Sequence, residues 1–163
     1  MDHTDSQIAD GMRFAMRRLA QSVTVISARH ESGRVAMAAT AVNSLSLDPP
    51  SMLVVVNRQA SLFTALRAGA RFCINVLTRD QQPVAEHCGG GSRGEDRFAI
   101  GAWEEQDGVP CLRDAQARIH CVQDGYMTYG THGVFIGRVT GTQVSNAVVP
   151  LIYADGRYHG LAN

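Results

Sequence analysis

The sequence predicts a mainly β fold, an antiparallel barrel with a few capping helices. Short apolar runs rich in Val, Ile and Thr recur between Gly, Pro and Asp-Gly punctuation, as half-buried strands require. Strands and helices do not alternate regularly, which argues against a parallel sheet. The 163 residues are 45% hydrophobic and 18% charged, enough apolar material for one core, so a single domain is expected over 1–163.

Taken in order, Ile8, Met12, Ala15, Met16 and Leu19 recur at three and four, which predicts an amphipathic helix over 7–20. Thr4 and Gln7 have the spacing of a capping box at its start. The period then changes. Val23 to Ala28 and Val35 to Leu47 read as a hairpin around Glu31-Ser32-Gly33. Asp48-Pro49-Pro50 turns the chain into a buried strand over 52–56, since proline cannot donate to a central ladder. Ser61 to Ala68 reads as a helix ended by Gly69, Arg71 to Leu77 as a strand, and Asp80 to His87 as a third helix. Gly89-Gly90-Gly91-Ser92-Arg93-Gly94 has too much backbone freedom for an element and predicts a mobile loop. Strands follow over 115–123, 126–129, 134–144 and 148–153, giving six to eight in all.

Composition also excludes function classes. Fifteen basic residues balance fifteen acidic ones, so no net field gathers phosphates and nucleic acid is not expected as a partner. No apolar run approaches the ~20 residues of a membrane span. Met1 to Asp5 is polar and acidic rather than an export signal, which makes the cytoplasm the expected location. Cys73, Cys88, Cys111 and Cys121 lack any two-residue spacing, so they read as free apolar fillers and no metal site is expected.

Several residues stand out chemically, each with a plainer reading beside it. Thr40, Ser44 and Ser46 fall at even offsets and would present hydroxyls on one strand face, either to solvent or to phosphate and polyol oxygens. Ser61 opens a helix after Asn57-Arg58, as a simple cap or as part of an anion site. Glu95-Asp96-Arg97-Phe98 is a solvated charge cluster with one anchoring aromatic, or a flap over a flat ligand. His132 enters an apolar strand at a barrel rim, where it caps or contacts a ligand. No nucleophile elbow, paired carboxylates or zinc helix argues for hydrolysis.

The blocks Phe14 to Leu19, Thr40 to Pro50, Val56-Asn57-Arg58 with Ser61, Phe72 to Leu77, Glu95 to Phe98, Gly130-Thr131-His132 with Val134 to Gly137, and Leu151-Ile152-Tyr153 with Gly156-Arg157-Tyr158 occur in one order across nearly the whole chain. Together they resemble the short-chain flavin reductases, the NAD(P)H:flavin oxidoreductase components of two-component flavin monooxygenases. Within that family the Gly-Thr-His block and the Leu-Ile-Tyr ending look most like the reductase of 4-hydroxyphenylacetate 3-monooxygenase. The resemblance implies a split β-barrel with Greek-key connections, a homodimer, and FMN or FAD in a groove near the dimer interface. It further implies that Thr40, Ala41, Asn43, Ser44, Leu45 and Ser46 contact the flavin ring edge and ribityl chain. Asn57, Arg58 and Ser61 would serve the ribityl and phosphate, and Phe98 and His132 would line the nicotinamide side, with His132 nearest a catalytic role. Ala38, Ala60 and Leu62 stand where relatives often carry hydroxyl residues, which implies a loosely held flavin.

Hydride transfer from NADH or NADPH needs stacked rings, water exclusion and stabilised charge rather than a side-chain nucleophile. Backbone amides near Ser44 to Ser46 are the expected stabilisers. Reduced flavin would then diffuse to a separate oxygenase. The rival reading is a split-barrel protein that stores flavin or senses redox state without turnover. A pyridoxamine phosphate oxidase would need a basic cluster that the sequence does not display.

Overall fold

A computed structural model describes residues 3–161. The chain runs α1 (His3–Met16), β1 (Gln21–Ser22), β2 (Thr24–His30), β3 (Gly33–Ala39), β4 (Val42–Leu47), β5 (Pro50–Asn57), α2 (Ser61–Arg67), β6 (Arg71–Val76) and α3 (Gln82–Glu86). It continues through β7 (Trp103–Gln106), β8 (Val109–Leu112), β9 (Ala117–Tyr129), β10 (His132–Val144), β11 (Ile152–Ala154) and β12 (Arg157–His159). Seven strands form the main antiparallel sheet in the order β3-β2-β6-β9-β10-β5-β4, with β1-β11-β12 and β7-β8 as small sheets beside it. The pairings of β5 with β10 and of β6 with β9 join strands far apart in sequence, as Greek-key connections do.

Alternation decides which face each residue serves. On β2, Ile26 and Ala28 enter one apolar cluster with Phe72, Ile74, Phe135 and the α2 residues Leu62 and Leu66, which fills the barrel. Val25 points the other way, into a second cluster with Leu77, Val84, Cys88, Phe98 and Leu112. Thr24 to Ala28 is therefore buried on both sides. This explains a continuous run of small and β-branched residues where a one-sided strand would alternate.

Asn75 joins the two layers. Its side chain is fully buried, and Nδ2 donates to Val25 O at 2.9 Å and to Ser27 Oγ at 3.0 Å. Its Oδ1 accepts from Leu112 N at 2.8 Å. Ser27 Oγ in turn donates to Pro110 O, so β8 is fixed over β2 and β6. Arg29 with Glu105 and Arg118 with Glu104 add ion pairs across the same junction.

The structure corrects several expectations. The strand expected over 35–47 divides at Thr40-Ala41, where Val42 N donates to Thr40 O at 2.9 Å. Its halves, β3 and β4, occupy opposite edges of the seven-stranded sheet. A register shift between Ser44 and Ser46 disturbs the alternation further, so Thr40, Ser44 and Ser46 do not form one hydroxyl row. Local propensity cannot register this change, because the chain leaves β2 to close the sheet onto β5. The first helix begins at His3 and ends at Met16, which places Thr4 and Gln7 inside it instead of at its cap. The export-signal expectation rests partly on Met1 and Asp2, outside the described residues. The Gly89–Gly94 stretch, expected as a loop, begins inside a wide helical turn over His87–Gly91. Hydrogen bonds from the flanking residues tie this stretch down. Ser92 N donates to His87 O at 3.1 Å, and Arg97 Nε to Ser92 O at 2.9 Å. The hairpin β7-β8 and the short strands β1 and β12 add to the expected strands.

Gly137 lies where β10 crosses the Phe72 ring, and an added methyl would run into that ring and sit 3.0 Å from Cys121 Cβ. Phe72 is fully buried and cannot swing away. Gly137→Ala should cost about 1–3 kcal/mol by overpacking, measured as a lower urea midpoint with an unchanged slope.

Candidate functional site

A groove runs between the end of β3, the start of α2 and the His87–Gly91 turn. One part, with a cavity volume of about 650 Å³, is lined by Ala38, Ser61, Cys88, Gly89, Arg93 and Arg97 among others. Gln59 is shared with a neighbouring cavity of about 630 Å³, which includes Asn57, Arg58, Phe63, Arg67 and Thr131. Ala38 and Gly89 are shared with a third, narrower part of about 200 Å³ that includes Thr40, Tyr153 and Tyr158. A Cβ on Gly89 would stand 3.7 Å from Ala38 Cβ, so small residues bring the two walls close there.

The two larger cavities contain two arginines each and no carboxylate. Arg97 is committed to structure, through Ser92 O and through a donated bond to Ala36 O. Among the described residues Arg58, Arg67 and Arg93 form no salt bridge. A chain without net charge thus presents a locally cationic cleft, which a sum over the sequence conceals.

The site residues expected from sequence divide into three groups. Asn57, Arg58 and Ser61 line the groove, and Thr40 lines its narrow end. Asn57 Oδ1 accepts from Gln59 N at 2.9 Å and shapes the turn into α2. Ser61 does not cap that helix; Ala60 holds the cap position without a side-chain bond. His132 is exposed at the start of β10, paired in register with Asn57, and its Nδ1 lies 2.9 Å from Thr131 Oγ1. Arg58 N donates to Thr131 O at 3.0 Å, which fixes the His132 rim beside the groove.

Asn43, Ser44, Leu45 and Ser46 stand on the outer strand β4, and Asn43 to Leu45 are exposed. Ala41 belongs to the crossover and its carbonyl accepts from Val55 N at 3.0 Å. The Ser46 hydroxyl donates to Asp48 O at 2.9 Å and accepts from Asp48 N at 3.0 Å, so it closes the Asp48-Pro49 turn. Phe98 is only 8% exposed; it packs against Trp103 with ring centroids 4.8 Å apart, and the Arg34 guanidinium covers it. In the single chain it supports the groove wall from behind and does not line it. The plainer reading, an anchoring aromatic, describes it.

Sequence reasoning did not assign Arg67, Arg93, Gly89, Tyr153 or Tyr158 to the site. Tyr153 and Tyr158 stood within the terminal block that carried the family resemblance, which was the available signal. Arg93 stood in the glycine run, where flexibility masked it.

The Flavin reductase like domain family matches residues 16–162. The chain belongs to this flavin reductase family. It is 39% identical over 157 residues to the reductase component of an FADH(2)-dependent resorcinol hydroxylase from Rhizobium sp. (strain MTP-10005), covering 93% of this chain and 86% of that protein. An FMN reductase (NADH), RutF, from Variovorax paradoxus (strain S110) is 36% identical over 151 residues, covering 92% and 84%. Among solved structures, the NADH:FAD oxidoreductase SgcE6 of Streptomyces globisporus C-1027, in complex with NAD and FAD fragments, superposes with a TM-score of 0.88 at 25% identity, covering 96% and 94%. The fold is accordingly the split barrel of the flavin reductases. No helix among the described residues is long and apolar enough to cross a membrane.

Local chemistry in this flavin reductase family member agrees with binding rather than nucleophilic catalysis. Burial pushes the Cys88 thiol up to about 11 although Arg97 opposes it, so this groove residue stays protonated at neutral pH. Arg34 Nε donates to Glu95 Oε1 at 2.8 Å, and that bond, reinforced by charge, holds the Glu95 carboxyl below its usual range.

Because the folded-state pKa of Glu95 is depressed, its contribution to order is complete above the ordinary Glu value and lost as pH falls through the folded value. Trp103, the single tryptophan, reports on Phe98 directly. Its fluorescence should change in acid with a midpoint below that of an unperturbed Glu. Glu95→Gln should remove this step, and an identical titration in the variant would refute the link.

Proposed function

We propose that the chain reduces FMN or FAD with NADH or NADPH, as a single-domain cytoplasmic homodimer that releases reduced flavin to a separate oxygenase. The groove carries the proposal: a narrow neutral end beside Thr40 and Tyr158 continues into a cleft with arginines and no carboxylates. Such a shape fits a flat ring with a phosphorylated tail. The names of the relatives, FMN reductase (NADH) and NADH:FAD oxidoreductase, support the same chemistry.

Bound flavin supplies a ring that accepts hydride from a dihydronicotinamide. Ala38 and Gly89 leave room at the narrow end. Arg58 and Arg93, with Ser61, meet phosphate oxygens through charge-assisted bonds. Among the described residues β4 pairs only with β5, so alternate amides on its free edge are available as preorganised dipoles for Asn43 to Ser46 to present. His132, held at the rim through Thr131, orients the nicotinamide.

Homodimer formation is supported by apolar surface that the chain leaves uncovered. On α1, Ile8, Met12 and Phe14 are 62–69% exposed, and Leu47 on β4 is 89% exposed. A stable interface of ~800 Å² per partner would cover such a surface. Sedimentation should give a dimer for the native chain and a monomer for Met12→Glu/Leu47→Glu; a monomeric native chain would refute the assembly.

Stopped-flow mixing with NADH or NADPH should bleach oxidised FMN or FAD. Binding without bleaching for every pair would favour the storage or sensing reading. Arg58→Ala or Arg93→Ala should weaken flavin binding roughly 10- to 100-fold, the worth of a hydrogen bond to a charged group. His132→Ala should raise KM for NADH about fivefold with flavin Kd unchanged, as loss of one ordinary hydrogen bond predicts. An unchanged KM would remove His132 from this role.

A further inference from the structure

The outer face of the main sheet, beneath the β7-β8 hairpin, holds a group of side chains that the groove does not use. Cys73 on β6 and His120 on β9 are direct cross-strand partners, and Cys111 arrives from β8. Their potential ligand atoms all lie within 4.8 Å of one another. Both cysteines are free and fully buried, and His120 is 9% exposed. His120 Nε2 is buried without a hydrogen-bond partner among the described residues. Leaving such a group unsatisfied costs about 1–3 kcal/mol, so it calls for an explanation.

We propose that Cys73, Cys111 and His120 form a buried zinc site that fastens the β7-β8 hairpin to the main sheet. The expectation of no metal rested on spacing along the sequence, and the fold removes that objection by bringing three strands together. Two thiolates and one imidazole are a donor set that zinc takes. Bond lengths of ~2.3 Å to sulfur and ~2.0–2.1 Å to nitrogen place ligand atoms about 3.6–4.0 Å apart, so small rotations close the site. Cys73 Sγ meets Asn75 Oδ1 at 3.5 Å and Cys111 Sγ meets Val109 O at 3.3 Å.

Charge and protons balance. Two S–H bonds break, both protons leave to solvent, and two Zn–S bonds and one Zn–N bond form without redox change. The two thiolates neutralise the dication, which limits the cost of burial. A fourth coordination position is left for water. None of the three residues lines the groove cavities, so this site and flavin reduction can fail independently.

Untagged, reduced, chelator-treated protein is titrated anaerobically with Co²⁺ as a spectroscopic probe, then with Zn²⁺. Thiolate-to-cobalt charge-transfer absorption should saturate at one equivalent per chain and disappear as zinc displaces cobalt. Cys111→Ser and His120→Gln should weaken cobalt binding at least tenfold, whereas Cys88→Ala should retain it. Should these variants not fold, peptide mapping of alkylation in the native chain decides: zinc should slow modification of Cys73 and Cys111 but not Cys88. Reduced protein without a cobalt signal, a full signal in Cys111→Ser, or alkylation indifferent to zinc would overturn the site.

Discussion

A buried amide holds the two layers of this protein in register. Asn75 satisfies carbonyl, hydroxyl and amide groups from β2 and β8, so its own burial leaves its side chain partnered. In a low-dielectric interior such a network is directional, whereas the surrounding apolar contacts are not. Fixing β8 fixes its hairpin partner β7, and β7 begins at Trp103. Trp103 backs Phe98, and the segment ahead of Phe98 supplies Arg93 and Gly89 to the groove. A structural contact on one side of the sheet therefore sets a binding wall on the other side of that segment.

The groove places its charge economically. Acidic residues are as numerous as basic ones, yet they are used elsewhere: Glu104 and Glu105 secure the hairpin, Glu95 holds Arg34, and Asp155 holds Arg17. Among the described residues, what remains along the cleft without an ion-pair partner is guanidinium. Local placement, rather than total charge, determines whether an anionic ligand is attracted at short range. A zero net charge therefore says little about a phosphate in a cleft.

The parts of the fold legible in the sequence were those decided by local periodicity. Alternating and β-branched runs identified β2, β5, β6 and β10, and Glu31-Ser32 identified the first hairpin, because burial and turn chemistry act within a few residues. The division of β3 from β4 was illegible, since closure of the sheet is a long-range demand on an otherwise suitable strand. Asn57, Arg58, Ser61 and Thr40, singled out through family resemblance, all line the groove. The use of Ser46 as a turn lock and of Phe98 as a buried support depended on tertiary neighbours. Cys73, Cys111 and His120 are separated along the chain and adjacent only through strand pairing, which spacing rules do not address.

Helix α1 links the groove to the uncovered surface. Its apolar residues satisfy the helical period but do not contribute to either main core cluster, so amphipathicity here describes a surface awaiting a cover rather than an internal packing face. Met16 and Leu19 line a cavity of about 370 Å³ together with Thr40 and Tyr153, and the last two also line the narrow end of the groove. Arg17 reaches across to Asp155 at 2.9 Å and holds that end in place. Any molecule covering α1 therefore also walls the place where the groove ends. Under the proposed homodimer, assembly and ligand binding would share residues through this geometry, and a monomer would leave the narrow end open to water, where a flat apolar ring gains most from exclusion of solvent.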